Sequence, residues 1–557
     1  MLIQVLFYDF VKQNYIIVIS FILIIAIIYP IQSVGLSRVY GNLFDIIHKN
    51  TKLESIFDIK NIFKNNVPGL MVLICLIYII IGILFLSKHY LESLIIPSYF
   101  KYLRELFFNN FIKKYSNDFK DVKIGEILSK LFELNSAILS LFQNTCNYLL
   151  STSFGLISIC IYYFILDWKI GLIYLFSVIV VLFLYYLNAH KQVNNSVKKF
   201  NILYKNNENL TDRLSNLMNI YINNEQNNEI IKFVKDENIL RRQYIKNYWV
   251  EKTNITIADF IIILSVILLL FISYYGLKNK KLSTVAFISI IITLGSSTEY
   301  LFEINSELSN IIYYTGIIKS NETLLNEILT LKKRDIIDKH LKSGKIEFKN
   351  VSFSYNNKKY IFKNFNYTIN DKQKVAVMGQ SGSGKTTIMK LLIDLHDIQE
   401  GEILVDNINI KKLDTSYLRS KIVYINQRTT LFNKTVLSNM LYGTNKNEQN
   451  VIDILNKYDL MIVFNKLHNS IHTNSGVNGN NLSLGMQKVT MIIRGVLKDG
   501  YIYAFDEPLT SLDAETRKKV IKLLMSELKN KTLIVITHDK EILPYMNKTL
   551  KMHELKN

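Results

Sequence analysis

The sequence predicts a multi-domain protein, with an all-α transmembrane domain of six helices followed by an α/β domain that binds phosphate groups. Three observations predict this fold class. Six segments before residue 303 are apolar enough and long enough to cross a bilayer. Residues 379–386 match a phosphate-binding loop. Short apolar strands alternate with helices around that loop, which predicts a mostly parallel sheet.

The six predicted spans each have about 20 mostly apolar residues, the length that a bilayer requires. They are Tyr15–Val34, Val67–Leu86, Asn147–Leu166, Ile170–Leu187, Ile255–Tyr275 and Leu282–Phe302. Two connections of about 60 residues, Ser87–Cys146 and Asn188–Asn254, are expected to continue the helices of the spans outside the membrane. The apolar segment Met1–Phe10 fits a helix on the membrane surface and a frayed terminus equally well.

An even number of spans puts both ends of the chain on the same side of the membrane. The phosphate-binding loop must face the side that contains ATP, so we expect the N-terminus and both long connections in the cytosol. These connections hold more Lys and Arg than the outer loops, which agrees with the positive-inside rule. The sequence therefore predicts a multi-pass membrane protein with its nucleotide-binding domain on the cytosolic side.

A charged tract, Lys332–Lys345, separates the membrane domain from the soluble domain. We predict a transmembrane domain over residues 1–325, a linker over 326–344 and a nucleotide-binding domain over 345–557. Strands are predicted at Ile346–Tyr355, Tyr367–Ile369, Val375–Met378, Ile422–Ile425, Tyr501–Phe505 and Thr532–Thr537.

The phosphate-binding loop has the sequence Gly379-Gln380-Ser381-Gly382-Ser383-Gly384-Lys385-Thr386. In this motif, backbone N–H groups surround the phosphates, Lys385 reaches the β and γ oxygens, and Thr386 binds Mg²⁺. A helix predicted over Thr387–Ile393 places the phosphates at a helix N-terminus, where the dipole favours an anion. The motif is typical of P-loop NTPases, so we expect ATP and Mg²⁺ to bind at these residues and at Thr387.

Two carboxylates, Asp506 and Glu507, follow the apolar strand Tyr501–Phe505. Asp506 is placed to bind Mg²⁺, and Glu507 to orient or deprotonate the attacking water. An acidic helix cap would explain Asp506 alone, but not the adjacent pair behind a phosphate-binding loop. Polar residues also follow two other strands: Gln427 could bind Mg²⁺ or water, and His538 could contact the γ-phosphate.

The formal net charge of +20 raises the possibility of a nucleic-acid partner. Lysine is spread along the chain, however, and neither a basic stripe nor a known nucleic-acid recognition motif is present. We therefore expect a membrane partner and no nucleic acid.

Taken together, these motifs resemble those of ATP-binding cassette (ABC) transporters, specifically exporter-type half-transporters with six spans and one cassette. Lys345–Tyr355 resembles the opening strands of the cassette, which implies that Tyr355 stacks on adenine. Ile422–Gly443 resembles the glutamine-loop region and implies that Gln427 is its glutamine. Arg213–Phe233 resembles the connection that contains a short coupling helix.

The resemblance continues to the end of the chain. Phe505–Asp513 resembles the Walker B strand end and the loop after it, with Asp513 at an inter-subunit position. Ile536-Thr537-His538 resembles the switch-histidine segment, which assigns His538 to the γ-phosphate.

The signature segment Leu482–Met486 resembles the family's signature, which implies that Ser483 and Gly485 contact the γ-phosphate held by the opposite subunit. Three residues differ from the family pattern: Leu484 replaces a glycine, Met486 replaces Gln or Glu, and Val477 replaces an acidic residue. The resemblance implies a dimer. A homodimer is the simpler assumption, and Leu484 and Val477 leave a heterodimer open.

The resemblance implies an ATP hydrolase that drives export of a substrate by alternating access. An ATP-gated membrane regulator or scaffold, and one subunit of a heterodimeric exporter, remain alternatives. The sequence does not identify the substrate. Four acidic residues near the cytosolic ends of the spans either form a wet helix surface or attract cationic substrates: Asp259, Glu299, Glu303 and Glu307.

Overall fold

Long apolar helices make up the first part of the chain in the computed structural model, which describes residues 2–49, 67–117, 124–330, 336–355, 360–380, 382–427 and 430–552. The chain divides into two units, one of Met1–Asn110 with Asp121–Thr330 and the other of Phe111–Lys120 with Leu331–Asn557. Ser381 of the phosphate-binding loop lies outside the described residues.

Up to Thr330, the described residues are almost entirely helical. The helices are α1 (Leu2–Gln13), α2 (Tyr15–Pro30), α3 (Leu36–Lys49), α4 (Val67–Asn117), α5 (Ile124–Asn144), α6 (Leu150–Leu166), α7 (Trp168–Ser215), α8 (Leu217–Ile222), α9 (Gln226–Lys278), α10 (Thr284–Ser320) and α11 (Glu322–Leu329). Single π-helical turns join α2 to α3 and α5 to α6.

Six helical stretches among the described residues are long and apolar enough to cross a membrane, which confirms the predicted number of spans. They are Tyr15–Lys49, Val67–Tyr115, Ser129–Leu166, Trp168–Ser215, Gln226–Lys278 and Thr284–Ser320. The longest helix, α9, has 53 residues and is therefore about 80 Å long, against about 30 Å of bilayer hydrocarbon. The prediction that the long connections continue the helices of the spans is confirmed.

Short polar turns join the third span to the fourth and the fifth span to the sixth. Asp167 alone separates α6 from α7, and its carboxylate accepts a hydrogen bond from the backbone N–H of Lys169 at 2.9 Å. Ser283 caps α10 in the same way, by accepting from the N–H of Ala286 at 3.1 Å. Capping residues at these positions explain why both turns are so short.

Several polar side chains inside the helical unit bond to each other, which reduces the cost of burying them away from water. Tyr163 Oη lies 2.9 Å from Thr293 Oγ1. The amide of Asn305 donates to Asp259 Oδ1 at 2.6 Å, which ties α9 to α10. Asp259 is therefore a packed side chain, while Glu299 on α10 is exposed.

The second unit contains nine strands and six α-helices among its described residues. The strands are β1 (Ile346–Phe353), β2 (Phe362–Ile369), β3 (Lys374–Met378), β4 (Glu400–Val405), β5 (Ile408–Asn409), β6 (Ile422–Ile425), β7 (Ile502–Asp506), β8 (Thr532–Ile536) and β9 (Lys548–Lys551). The helices are α12 (Lys385–Leu392), α13 (Thr415–Lys421), α14 (Val436–Met440), α15 (Glu448–Lys457), α16 (Leu484–Val496) and α17 (Ala514–Glu527).

These strands form two sheets. One is entirely parallel, in the order β6-β7-β8-β3-β9. The other is antiparallel, in the order β2-β1-β4-β5, so the prediction of a mostly parallel sheet is wrong for this half. The β4-β5 pair has a local cause, because Asp406 and Asn407, with φ of 51° and 62°, form a two-residue turn that reverses the chain without a crossover helix.

Candidate nucleotide-binding site

Four neighbouring strands of the parallel sheet carry the predicted site residues at their carboxyl ends, where ligands of such sheets bind. A cavity of about 440 Å³, called the nucleotide cavity below, lies at this edge. Ten of its eleven lining residues were predicted from the sequence. The lining residues are Tyr355, Ile361, Gly382, Gly384, Lys385, Thr386, Thr387, Gln427, Asp506, Glu507 and His538.

The phosphate-binding loop connects β3 to α12. Gly384 precedes the helix with a φ of 99°, and a Cβ there would lie 2.7 Å from a side-chain carbon of Ile361, so only glycine fits. Lys385 is only 9% exposed. Its Nζ donates to the carbonyl oxygens of Gly379 (2.6 Å) and Gln380 (3.1 Å). The backbone carbonyl groups of the loop therefore hold the Lys385 ammonium in place.

Asp506, at the end of β7, faces the first turn of α12. It is 3% exposed, and its Oδ2 accepts a hydrogen bond from Thr386 Oγ1 at 2.7 Å. Burial raises the pKa of Asp506, and the hydrogen bond from Thr386 opposes that shift. A carboxylate, a hydroxyl and the amide oxygen of Gln427 form an oxygen-only donor set, which fits Mg²⁺ together with nucleotide phosphates.

Glu507 has a backbone conformation that non-glycine residues rarely adopt, with a φ of 53°. Its N–H donates to the carbonyl oxygen of Ile536 on β8 at 2.9 Å. Its Oε2 accepts from Thr510 Oγ1 at 2.8 Å, and its Oε1 lies 3.7 Å from His538 Nε2. Such strain is typical of functional positions, and here it fixes a carboxylate beside an imidazole in the cavity.

His538 also contacts the lysine of the loop. Lys385 Nζ lies 3.1 Å from His538 Nε2, so the ammonium, the imidazole and the carboxylate of Glu507 form a continuous polar chain. This arrangement can hold an anion, orient a water molecule and accept a proton.

Tyr355 lies at the edge of the cavity. Its ring is half-exposed and packs edge-on against Phe353 and His396. Its hydroxyl lies 3.2 Å from Thr387 Oγ1. An exposed aromatic ring here suits stacking on a flat base, and this role for Tyr355 stays a prediction.

The signature segment lies outside the set of residues that lines this cavity. Ser483 caps α16 by accepting from the N–H of Met486 at 3.3 Å. The exposed fraction is 67% for Leu484 and 61% for Val477. The predicted contacts of Ser483 and Gly485 with a nucleotide on another subunit stay predictions.

Asp513 has a structural role that the sequence did not reveal. It caps α17 by accepting from the N–H of Thr516 at 2.9 Å, and this hydrogen bond lowers the pKa of Asp513. The side chain is exposed, which leaves the predicted inter-subunit role open.

Three further residues near the site were not predicted. Tyr424 on β6 donates to Asp506 Oδ2 at 3.4 Å, and Thr510 donates to Glu507. Lys488 on α16 is half-buried near Asp506 and Glu507; burial lowers the pKa of Lys488, and the two carboxylates oppose that shift. Because side chains alternate along a strand, the sequence indicates only that Tyr424 faces the same side of β6 as Ile422.

Comparison with known proteins extends the likeness to both units. The model of the ABC transporter transmembrane region matches residues 15–298, slightly more than half of the chain, and the ABC transporter model matches residues 362–510. A putative export ATP-binding/permease protein of Rickettsia bellii is 26% identical over 510 residues, covering 86% of each chain.

Two other matches have different extents. An ATP-dependent lipid A-core flippase of Idiomarina loihiensis is 30% identical over 322 residues, which cover 56% of this chain and 54% of the flippase. The solved structure of a bacterial Atm1-family ABC exporter with ATP bound superimposes with a TM-score of 0.84 at 17% identity, covering 97% of this chain and 93% of that one. At that identity, the superposition indicates a shared fold.

Proposed function

This chain belongs to the ABC transporter family, as a membrane-embedded half-transporter with a cytosolic cassette, and from that premise we propose that two copies form an ATP-driven exporter. The transmembrane domain is assigned to residues 1–325, the linker to 326–344 and the cassette to 345–557. Closure and opening of the two cassettes would drive alternating access of the membrane domain.

The observation that carries this proposal is the convergence of Lys385, Thr386, Asp506, Glu507 and His538 on one cavity. In the proposed reaction, the loop and Lys385 bind the ATP phosphates, and His538 contacts the γ-phosphate. Glu507 takes a proton from the attacking water as the bond between the γ-phosphorus and ADP breaks. Mg²⁺, held by Thr386, Asp506 and Gln427, would neutralise phosphate charge.

The dimer is proposed because the family resemblance implies that Ser483 and Gly485 contact a nucleotide held by the opposite subunit. Neither residue belongs to the set that lines the nucleotide cavity of the same chain, which supports this arrangement. ATP then acts as a ligand that binds the closed pair of cassettes more tightly than the open pair, which is sufficient to shift the conformational equilibrium. Hydrolysis removes this ligand and resets the transporter.

A complementation experiment tests the shared site. Chains carrying Lys385→Ala and chains carrying Ser483→Ala are co-expressed with different affinity tags, and the mixed dimer is isolated. If the sites are shared, the mixed dimer contains one intact site and recovers ATPase activity that neither variant shows alone. A mixed dimer as inactive as both parents, or a monomer with full turnover, would exclude the proposal. An inactive wild-type chain that gains activity with a co-purified second chain would indicate a heterodimer.

The substrate is tested with the reconstituted chain in liposomes. ATPase stimulation and transport are measured for a panel of lipids, peptides and cationic amphiphiles; a lipid belongs in this panel because one relative is named a lipid A-core flippase. Glu303 and Glu307 on α10 are half-buried, and Glu307 Oε1 accepts from the amide of Asn310 at 3.2 Å. Changing both to Gln should reduce transport of cations selectively if these carboxylates attract them.

A further inference from the structure

A second cavity, of about 180 Å³, adjoins the nucleotide cavity inside the cassette. It lies between the end of β6, helix α16 and the loop after Glu507. Its lining residues are Asn426, Gln427, Leu484, Gln487, Lys488, Met491, Thr510 and Ser511. Gln427 lines both cavities, so this side chain forms part of the wall between them.

The chemistry of the lining favours an anion. Its one charged residue is Lys488, and its other polar groups are amides and hydroxyls, without a carboxylate. Gln487 Nε2 already donates to the carbonyl oxygens of Gly479 and Leu482, and Thr510 donates to Glu507. With respect to the residues that the structure describes, the donors that remain to face a ligand are the Lys488 ammonium, the Gln427 amide and the Ser511 hydroxyl.

Lys488 distinguishes this cavity from an ordinary surface cleft. It is half-buried in the second turn of α16, and within the described part of the chain it makes no ion pair shorter than 4 Å and no hydrogen bond. Asp506 and Glu507 act on it only at longer range. A partly desolvated ammonium gains most from an anion that can come within hydrogen-bonding distance.

The second cavity is also connected to the proposed reaction. Thr510 lines it and donates to Glu507, the proposed base, while Gln427 lies between it and the nucleotide cavity. When water adds to the γ-phosphorus and the bond to ADP breaks, the product on this side is inorganic phosphate. A tetrahedral oxyanion fits a cavity of this size with room for several waters, since each water occupies about 30 Å³.

We propose that the second cavity is an exit site for inorganic phosphate, in which the Lys488 ammonium binds the oxyanion after it passes Gln427. This inference rests on the proposed function, because the phosphate is the product of the hydrolysis at Glu507. The ligand chemistry is that of a small oxyanion, which could arrive either from ATP in the same cassette or from solution.

Binding is tested without turnover. Full-length protein with Glu507→Gln is dialysed against ³³P-labelled phosphate, alone and combined with Lys488→Met, Lys488→Arg or Lys498→Met. Lys498 is a matched control because it is half-buried just beyond the same helix and does not line the cavity. Lys488→Met should weaken binding at least about tenfold, whereas Lys488→Arg and Lys498→Met should stay within about threefold. Equal affinities in all four proteins, or no binding in the parent, would overturn the proposal.

The source of the phosphate is tested with active protein. After a single turnover of [γ-³³P]ATP and rapid gel filtration, wild-type protein and Lys498→Met should retain label, and Lys488→Met should lose it. Added phosphate should also inhibit steady-state ATPase less in Lys488→Met, with the KM for ATP unchanged. Binding of added phosphate without retention of label would refute the exit role. If the wild-type protein had no ATPase activity, the proposed function would be refuted instead. The dialysis experiment would still show whether the second cavity binds phosphate.

Discussion

The nucleotide cavity and the signature segment belong to the same cassette but differ in how their polar groups are used. In the cavity, Lys385 and Asp506 are nearly fully buried. Lys385 donates to the backbone of the loop, and Asp506 accepts a hydrogen bond from Thr386. At the signature segment, Ser483 retains a helix-capping geometry, but the exposed neighbours Leu484 and Val477 are apolar.

If the proposed dimer is correct, this difference means that the chain keeps the groups of its own site while its signature segment, which would face the partner's site, departs from the family pattern. The two regions contribute to different ATP molecules if the proposed dimer is correct. The proposed base at Glu507 is limited by chemistry, because a neutral amide or an apolar side chain in its place could not accept a proton. The signature segment would contribute backbone donors and a hydroxyl, so a changed side chain there alters how closely the backbone approaches the phosphate, while the helix still begins at Ser483.

The largest effect is expected on the cavity side, from Glu507→Gln. Loss of the base should reduce ATPase activity by about a hundredfold to ten-thousandfold, while ATP binding is retained because the loop and Lys385 are untouched. ATPase rate and nucleotide affinity are measured on the reconstituted chain. Glu400→Gln, an exposed glutamate at the start of β4, is the control and should have no effect. Normal turnover in Glu507→Gln would remove Glu507 from its proposed role.

Much of this cavity could be predicted from the sequence because its chemistry depends on residues that are adjacent in the chain. The loop motif and the pair Asp506-Glu507 after an apolar strand are local patterns, and so are the six spans. The proximity of Tyr424, Thr510 and Lys488 to the carboxylates of Asp506 and Glu507 could not be predicted. It depends on where β6, α16 and the loop after β7 meet in space. The antiparallel sheet was missed because β1 pairs with β4, which lies far along the chain, and such a pairing is not a local pattern.

A smaller effect is expected on the signature side, where Leu484→Gly restores the glycine of the family pattern. If the leucine side chain keeps the backbone from the opposite γ-phosphate, ATPase activity should rise about threefold to tenfold in a homodimer. Gly485→Ala should act in the opposite direction, because a Cβ there would lie 3.2 Å from the carbonyl oxygen of Ser511. Both variants are compared in ATPase rate and thermal stability. An unchanged ATPase rate in Leu484→Gly would mean that the Leu484 side chain does not weaken the contribution of the signature segment to ATP hydrolysis.

The smallest effect is expected from Tyr424→Phe, which removes a hydroxyl 3.4 Å from Asp506 and leaves the ring in place. A hydrogen bond this long contributes about 0.5 kcal/mol, so the Mg²⁺ concentration that gives half-maximal ATPase activity should rise about twofold to threefold. Tyr503→Phe is the control, since its hydroxyl on the adjacent strand contacts Gly500 instead of the site. A change in Mg²⁺ dependence with the KM for ATP unaltered would identify Tyr424 as a positioning residue for Asp506. Equal behaviour of the two variants would mean that the Tyr424 hydroxyl does not affect Mg²⁺ binding. Thr386 would then be the side chain that holds the Asp506 carboxylate in place.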